Sequence, residues 1–361
     1  MMSIARILYI FILTLGLQSS FVLAATYQDI KDIKIVKEGS YWVSEWVDFE
    51  IPANTASFQI NAFSSPEEFI QVTDLIAPDG TYFVQSDSGK KLTPYSQPIL
   101  RNVLSLNRTL AVIKGMSSTL VPNNPILGAP RAGLWKMRTL THYQPLMKSV
   151  SFEIVVKSQE ELAKNNVDIR VLISPDSYWT REKGHVEKVI ARAKESLAEA
   201  GLNLRTLSIT MLAQKTPEPM DLPSEMVAIA ESKNQSDAVN VYMMPSMQYQ
   251  NKPINGLACI GGAIDLKTRH ACFVSMYADQ RGDEISLENQ GKILAHEIGH
   301  YLGLFHTKDD GYYGIGAVYD KLDDTSEIIT GANMMDPGIH DETPHFSKQQ
   351  KQMLRLSPAL R

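Results

Sequence analysis

Three histidines and a glutamate lie within one short stretch of the chain, His296-Glu-Ile-Gly-His-Tyr-Leu-Gly-Leu-Phe-His306. On a helix of about 3.6 residues per turn, His296 and His300 lie on one face, so both imidazoles can bind the same zinc ion. Glu297 projects beside them and can accept a proton from a water on that ion without binding the metal. A continuing helix would carry His306 about 9 Å beyond His300, so the helix must bend or end between them. Gly303 allows this because glycine adopts left-handed backbone conformations at little cost.

This spacing predicts a catalytic zinc site. Three neutral imidazoles leave the fourth position of a tetrahedral zinc ion open for water, as catalytic sites do. Two alternatives give the histidines other roles. They could belong to an ordinary amphipathic helix, but Gly303 and His306 at the required offsets argue against coincidence. A purely structural zinc site would need a fourth protein ligand and would leave Glu297 without a purpose.

The stretch resembles the signature of the metzincin zinc metallopeptidases, HExxHxxGxxH followed by a turn that contains methionine. The matching turn is Asn333-Met-Met-Asp-Pro337, which begins 27 residues after His306. The resemblance implies that Met335 forms an apolar floor beneath the three histidines, a place that suits a polarisable thioether. Core packing is the alternative role for Met334 or Met335, and one residue can serve both.

Within the metzincins, the chain is similar to the pappalysins from about Val167 to Arg361. Asp320-Lys-Leu-Asp-Asp-Thr325 resembles a segment that precedes their methionine turn, and Gly256-Leu257-Ala258 resembles the edge strand that holds their substrate. Pro337 is a departure, because pappalysins have a tyrosine two residues after the methionine. A step assisted by that tyrosine is therefore not expected here.

The resemblance implies a secreted zinc endopeptidase that hydrolyses peptide bonds with a zinc-activated water and with Glu297 as general base. The strand Gly256–Ala258 would pair with an extended protein or peptide substrate. One rival is a catalytically degenerate binding or adhesion protein that retains a zinc site, and the complete set of ligands with Glu297 argues against it. A zinc hydrolase of a non-peptide amide is a third reading, which the motif leaves open.

The segment between Thr307 and His345 is rich in acids, with nine carboxylates and two lysines. Loops with many oxygen ligands can bind calcium, so Ca²⁺ is a second cofactor hypothesis beside one catalytic Zn²⁺. A solvated acidic loop explains the same composition equally well. His340 and His345 either line the substrate cleft or are surface histidines.

Two different patterns surround the motif and predict an α+β protein. From Tyr27 to about Lys157, short alternating segments separated by turn residues predict an antiparallel β-sandwich. This part resembles the sandwich modules that accompany secreted bacterial peptidases. From Val167 onwards, strands alternate with helical patterns, which favours a metzincin-like catalytic domain with a mixed twisted sheet and an active-site helix. The predicted helices are Arg181–Ala200, with an apolar stripe on one face, Ile285–Leu304, and a short C-terminal helix from about Ser347 to Leu356. The predicted divisions are an accessory domain at 26–157, a polar linker at 158–166 and a catalytic domain at 167–361.

The N-terminal residues 1–25 have the pattern of a signal peptide. Arg6 precedes the uncharged run Ile7–Leu17, and small residues follow at Ala24 and Ala25. Eleven apolar residues are too few to cross a bilayer whose hydrocarbon core is about 30 Å thick, although an anchor or a buried helix is the alternative. We therefore expect an exported protein, secreted or periplasmic, with no membrane span in the mature chain.

Charge and cysteine content narrow the expected partners. The formal net charge is −5. A nucleic-acid-binding surface would need a clustered basic face, so nucleic-acid binding is not expected. Cys259 and Cys272 are the two cysteines, and in an oxidising compartment they would form one disulfide bond. Free thiols or a metal site are the alternatives, but the spacing lacks the CxxC pattern of zinc sites. The sequence does not indicate an oligomeric state.

Overall fold

The structure is a computed structural model, and it describes residues 26–39, 41–65, 70–84, 116–141, 148–175, 177–222, 238–249, 252–258, 271–275, 285–308, 320, 322–325, 331–338 and 344–361. Several predicted features lie outside the described residues: the signal peptide at 1–25, Cys259, His340, and the acidic residues Asp309, Asp310, Glu327, Asp341 and Glu342.

The first nine strands form one antiparallel sheet in the described part of the chain. They are β1 (Thr26–Glu38), β2 (Tyr41–Ser44), β3 (Val47–Ile51), β4 (Thr55–Phe63), β5 (Ile70–Ile76), β6 (Tyr82–Val84), β7 (Met116–Val121), β8 (Gly133–Thr141) and β9 (Ser149–Ser158). Their order is β6-β5-β8-β2-β1-β9-β4-β7, with β3 paired to β8. Alternation decides which face is buried, and in β3 the residues Val47, Phe49 and Ile51 are buried while Asp48 and Glu50 are exposed.

This sheet curls over on itself. Phe58 of β4 and Trp135 of β8 are separated by three intervening strands, yet their ring centroids lie 5.1 Å apart in an edge-to-face contact. Both side chains are fully buried in the same apolar core. The antiparallel pairing that the sequence predicts is confirmed, and the arrangement as two facing sheets stays a prediction.

The second half contains a mixed sheet. Its strands are β10 (Asn166–Ile173), β11 (Asn203–Met211), β13 (Val239–Met244), β16 (Gly256–Ala258) and β17 (Ala271–Ser275), in the order β11-β10-β13-β17-β16. The four strands β11, β10, β13 and β17 run parallel to one another, and β16 runs antiparallel to β17 at one edge. The strands β12 (Met220–Leu222), β14 (Met247–Tyr249) and β15 (Lys252–Ile254) form a separate small sheet. The mixed character predicted from the sequence is confirmed.

Three α-helices complete the described structure: α1 (His185–Glu199), α2 (Leu287–Tyr301) and α3 (Lys348–Leu356). The predicted apolar stripe of α1 is buried against the sheet, and the chain leaves this helix through Gly201 at a φ of 76°. A buried hydrogen bond of 2.7 Å between His185 and Gln290 joins α1 to α2. Among the described residues, no helix has both the length and the apolarity needed to cross a bilayer.

The two halves meet through buried polar contacts. Lys157, at the end of β9, is 1% exposed and donates hydrogen bonds to the carbonyls of Arg355 and Ser357, at 2.7 and 2.9 Å. Ser57 of β4 donates to the carbonyl of Leu356. The last carbonyls of a helix lack partners within it, so these side chains satisfy the C-terminal end of α3. The N-terminal sheet and the last helix are therefore fixed to each other.

The buried Lys157 makes stability depend on pH. Burial lowers its pKa from 10.5 to about 8, so between these values the unfolded chain holds a proton that the folded chain has lost. The free energy of unfolding should therefore rise with pH across this range, by about 3 kcal/mol relative to Lys157→Met. Urea denaturation of both proteins at pH 8 and pH 10.5 measures this difference. Parallel pH profiles would contradict it.

Candidate metal centre

The helix α2 supplies the first two predicted ligands and then ends abruptly. His296 and His300 lie one turn apart, and their ring centroids are 4.6 Å apart. The chain leaves the helix through Gly303, whose φ of 107° belongs to the left-handed region that favours glycine. The amide of Leu304 then donates back to the carbonyl of Gly299 at 3.0 Å. This reversal returns His306 to the first two histidines, as the sequence spacing predicts.

The three imidazoles converge on one point. His296, His300 and His306 each offer a ring nitrogen, and these nitrogens all lie within 4.8 Å of one another. The Nε2 atoms of His296 and His306 are 3.2 Å apart. Two nitrogens bound to one tetrahedral zinc ion would lie about 3.3 Å apart, since each bond is about 2.0–2.1 Å long. The donor set and its spacing therefore fit zinc.

Backbone carbonyls orient two of the rings. His296 donates from Nδ1 to the carbonyl of Met334 at 2.7 Å, and His300 donates from Nδ1 to the carbonyl of Leu304 at 2.8 Å. A carbonyl oxygen only accepts hydrogen bonds, so both Nδ1 atoms carry the proton. Each Nε2 therefore keeps a lone pair for a metal ion, which is the arrangement typical of histidine ligands.

Two of the histidines, His300 and His306, are held in the neutral form that metal binding requires. Burial and the neighbouring His296 lower the pKa of His306 to about 3. Burial, together with His296 and His306, places the pKa of His300 well below its usual value. Neutral rings do not have to release protons before they bind a cation.

Glu297 lies between the helix and the edge strand β16. Its side chain is 5% exposed, and burial raises the pKa of its carboxyl group to about 8. A Cβ atom added to Gly256 would lie 2.1 Å from Oε1 of Glu297. The carboxyl group therefore packs directly on the backbone of the strand that the sequence resemblance assigns to substrate. The structure brings these two predicted features into contact.

The predicted methionine turn lies under α2. Met335 is fully buried, and a Cβ atom added to Gly299 would lie 2.7 Å from its Sδ atom. The carbonyl of Met335 accepts a hydrogen bond from the amide of Thr307 at 3.1 Å. The turn is thus joined to the segment that carries the third histidine.

Sequence reasoning missed a pair of residues that strengthens this junction. Asp336 is 2% exposed and accepts hydrogen bonds from the hydroxyl of Thr307 and from the amide of Gly331, the latter at 2.9 Å. The signal was present in the sequence, because Thr307 directly follows His306 and Asp336 directly follows Met335. The pair connects the third ligand segment to the turn whose carbonyl orients His296.

These contacts also bear on the calcium hypothesis. All four of its described acids have protein partners: Asp336 bonds as above, Asp320 accepts from Thr325 and from Gln350, and Asp323 and Asp324 both accept from Gln349. Within the ranges that the structure describes, the three histidines form the only cluster of three or more potential metal-binding side chains. The described acids of the segment therefore do not form a second metal site by themselves.

Two further residues from the sequence predictions, Cys272 and His345, lie in the described part of the chain. Cys272 lies in β17 opposite Ala258, while its predicted partner Cys259 is outside the described residues, so the disulfide stays a prediction. Nδ1 of His345 lies 3.2 Å from the carboxylate of Glu199 in α1, and the His345 side chain is 61% exposed.

Loss of the Thr307 hydroxyl should weaken metal binding. Thr307→Val keeps the shape of the side chain but removes the donor to Asp336, which loosens the link between His306 and the methionine turn. We expect the zinc affinity, measured by competition with a chelator, to fall about 10-fold, at the low end of values for outer-shell partners. Lys308→Ala, an exposed neighbour, is the control and should bind zinc like the wild type. Equal affinities of all three proteins would exclude this role.

Comparison with known proteins completes the description. No protein-family model matches this sequence, and no curated protein does either. The crystal structure of metalloproteinase-II from Bacteroides fragilis is similar at 12% identity and a TM-score of 0.35, over 56% of this chain and 62% of that one. The crystal structure of a zinc-dependent peptidase from Methanocorpusculum labreanum is similar at 12% identity and a TM-score of 0.33, over 52% of this chain and 99% of that one. The chain thus spans less than two thirds of the Bacteroides protein, and these two structures are both of metal-dependent peptidases.

Proposed function

We propose that this chain is a zinc-dependent endopeptidase of the metzincin type. The observation that carries the proposal is the convergence of three imidazoles beside a buried carboxyl group. His296, His300 and His306 would hold the ion, and Glu297 directly follows His296 in the sequence without belonging to the ligand cluster. A purely structural zinc site would give Glu297 no role.

Glu297 is the proposed general base and then the general acid. Bound zinc would supply a Lewis acid that polarises the scissile carbonyl and makes water more acidic. The Glu297 carboxylate takes the proton from the attacking water and delivers it to the leaving amine. Burial raises the pKa of this carboxyl group to about 8, and the positive charge of zinc held by the neighbouring histidines would oppose that shift and favour the carboxylate form that accepts the proton. The low exposure of the side chain also keeps bulk water away from the transferred proton.

The edge strand β16 is the proposed substrate platform. It is the last strand of the mixed sheet in the described part of the chain, and it contacts Glu297 through Gly256. An extended peptide that pairs with this strand would therefore pass beside the catalytic carboxylate. The proposal thus takes a protein or peptide as the substrate.

The finer assignments belong to the same proposal. They are a likeness to the pappalysins, export with removal of residues 1–25, a secreted or periplasmic location, and a Cys259–Cys272 disulfide near the substrate strand. A sandwich domain at 26–157 and a linker at 158–166 would precede the catalytic domain at 167–361. The short 3-10 helix Glu160–Ala163 lies in that linker.

Metal analysis and a peptide library test the function together. The purified protein should contain close to one zinc ion per chain and should cleave internal bonds of a diverse peptide mixture, as read by mass spectrometry. Bound zinc without cleavage of peptides would reject the endopeptidase. Simple non-peptide amides, tested in parallel, would then separate an amidase from a degenerate binding protein. Absence of zinc from the folded protein would reject the site itself.

A further inference from the structure

We propose that the N-terminal sheet is a permanent part of the metal centre, because Leu120 of β7 holds the turn that returns the third histidine. The inference rests on the zinc site of the proposed function and is independent of peptide cleavage. It gives the N-terminal half a positioning role at the site.

Leu120 lies in β7, but its side chain points away from the core of the N-terminal sheet and packs on the other half of the protein. The residue is 6% exposed and belongs to the apolar core that contains α1, α2 and the mixed sheet. Its neighbour Val121, on the opposite face of β7, is buried in the core of the N-terminal sheet. A Cβ atom added to Gly303 would lie 3.0 Å from Cδ2 of Leu120. The leucine side chain therefore covers the glycine at which α2 ends.

The covered turn controls two of the three ligands. Gly303 is followed by Leu304, whose carbonyl accepts the 2.8 Å hydrogen bond that orients His300. His306 follows two residues later, and its carbonyl accepts from the amide of Asp320 at 2.7 Å. A left-handed glycine has many accessible conformations, so the position of this turn depends on what packs against it. Leu120 supplies that packing from outside the mixed sheet.

Other contacts keep the sheet attached to the site. Lys157 and Ser57 donate to the final carbonyls of α3, at a buried position. If the N-terminal sheet were removed, these carbonyls would lose their donors and the core around Leu120 would be opened to water. Water would replace the lost hydrogen bonds, but exposure of the apolar surface around Leu120 is costly, so the sheet is unsuited to be a segment that is removed to activate the enzyme.

Matched substitutions on the two faces of β7 test the role of Leu120. Leu120→Ala should lower the zinc affinity about 10-fold, as the loss of outer-shell support does in other zinc sites. It should also speed hydrogen exchange at the amides of Gly303 and Leu304. Val121→Ala also removes buried carbons and should destabilise the fold, but its zinc affinity and these exchange rates should match the wild type. Wild-type zinc affinity in Leu120→Ala, or an equal loss in Val121→Ala, would overturn the proposal.

Cleavage of the chain between its two halves tests whether the N-terminal sheet stays attached to the metal centre. This test does not require a Leu120 variant that folds. A protease site is inserted after the 3-10 helix Glu160–Ala163, and the purified protein is cleaved there. The two fragments should stay together in gel filtration and keep the zinc affinity of the uncut chain. Separation of the fragments with undiminished zinc affinity in the C-terminal fragment would refute the inference. Failure of peptide cleavage in a protein that passes both tests would reject only the proposed function.

Discussion

Replacing Glu297 with glutamine is expected to lower the rate of peptide hydrolysis by about 10²–10⁴-fold while the zinc affinity stays close to that of the wild type. Glutamine keeps the size of the side chain, so the packing against Gly256 is preserved. An amide cannot take a proton from water at neutral pH. The three histidines, their carbonyl partners and the turn at Gly303 are unchanged. The measurements are kcat on a cleaved library peptide and zinc affinity by competition with a chelator.

Glu288→Gln is the matched control for this prediction. Glu288 lies in the first turn of the same helix, and its side chain is 54% exposed. The change removes one negative charge from α2 without touching the site, so activity should stay within about twofold of the wild type, as for most surface substitutions. Full activity in Glu297→Gln would remove the residue from its assigned role. A loss of zinc in that variant would show that the carboxylate supports the metal and would leave the base unidentified.

Replacing Gly256 with alanine is expected to reduce kcat by about 100-fold, the lower range for loss of a general base. The new methyl carbon would lie 2.1 Å from Oε1 and 2.7 Å from Cδ of Glu297, which no pair of unbonded carbon and oxygen atoms tolerates. Either the carboxyl group moves away from the site or β16 moves away from α2. Both changes disturb the base and the substrate strand together. Zinc affinity should change much less than kcat.

A double-mutant cycle identifies the cause of that effect. Glu297→Ala removes the atoms that the new methyl group would strike, so Gly256→Ala should cost much less stability in that background than in the wild type. The coupling in the free energy of unfolding should be about 1–3 kcal/mol, in the range found for residues in direct contact. Additive stability effects in urea denaturation would show that the two side chains do not compete for the same space. A steric conflict between them would then be excluded.

Local sequence spacing was sufficient to predict that the three histidines converge. The offsets of His296, His300 and His306 follow from the pitch of a helix and from one glycine, and these features lie within a few turns of one another. The helix was expected over 285–304, and the structure has it at Leu287–Tyr301. The C-terminal helix was likewise predicted from Ser347, which is its N-cap residue. Signals of this kind need no knowledge of distant contacts.

Contacts between distant residues could not be predicted in this way. Leu120 and Gly303 come from opposite halves of the chain, and nothing in the pattern around either residue names the other. The sequence interpretation therefore assigned the N-terminal strands to an accessory domain and left the role of that domain open. The acidic segment presented the same difficulty. Carboxylates that accept protein hydrogen bonds, such as Asp336, cannot be distinguished by composition from carboxylates that would bind calcium.

The carbonyl that orients His296 belongs to Met334, which lies 38 residues further along the chain. During synthesis, the two histidines of α2 and His306 all emerge before this acceptor does. Until Met334 has emerged and docked, the His296 ring can rotate and exchange its tautomers, so a nascent chain holds all three histidines without the hydrogen bond that orients the first of them. We therefore expect tight capture of the metal to come late in the formation of this protein.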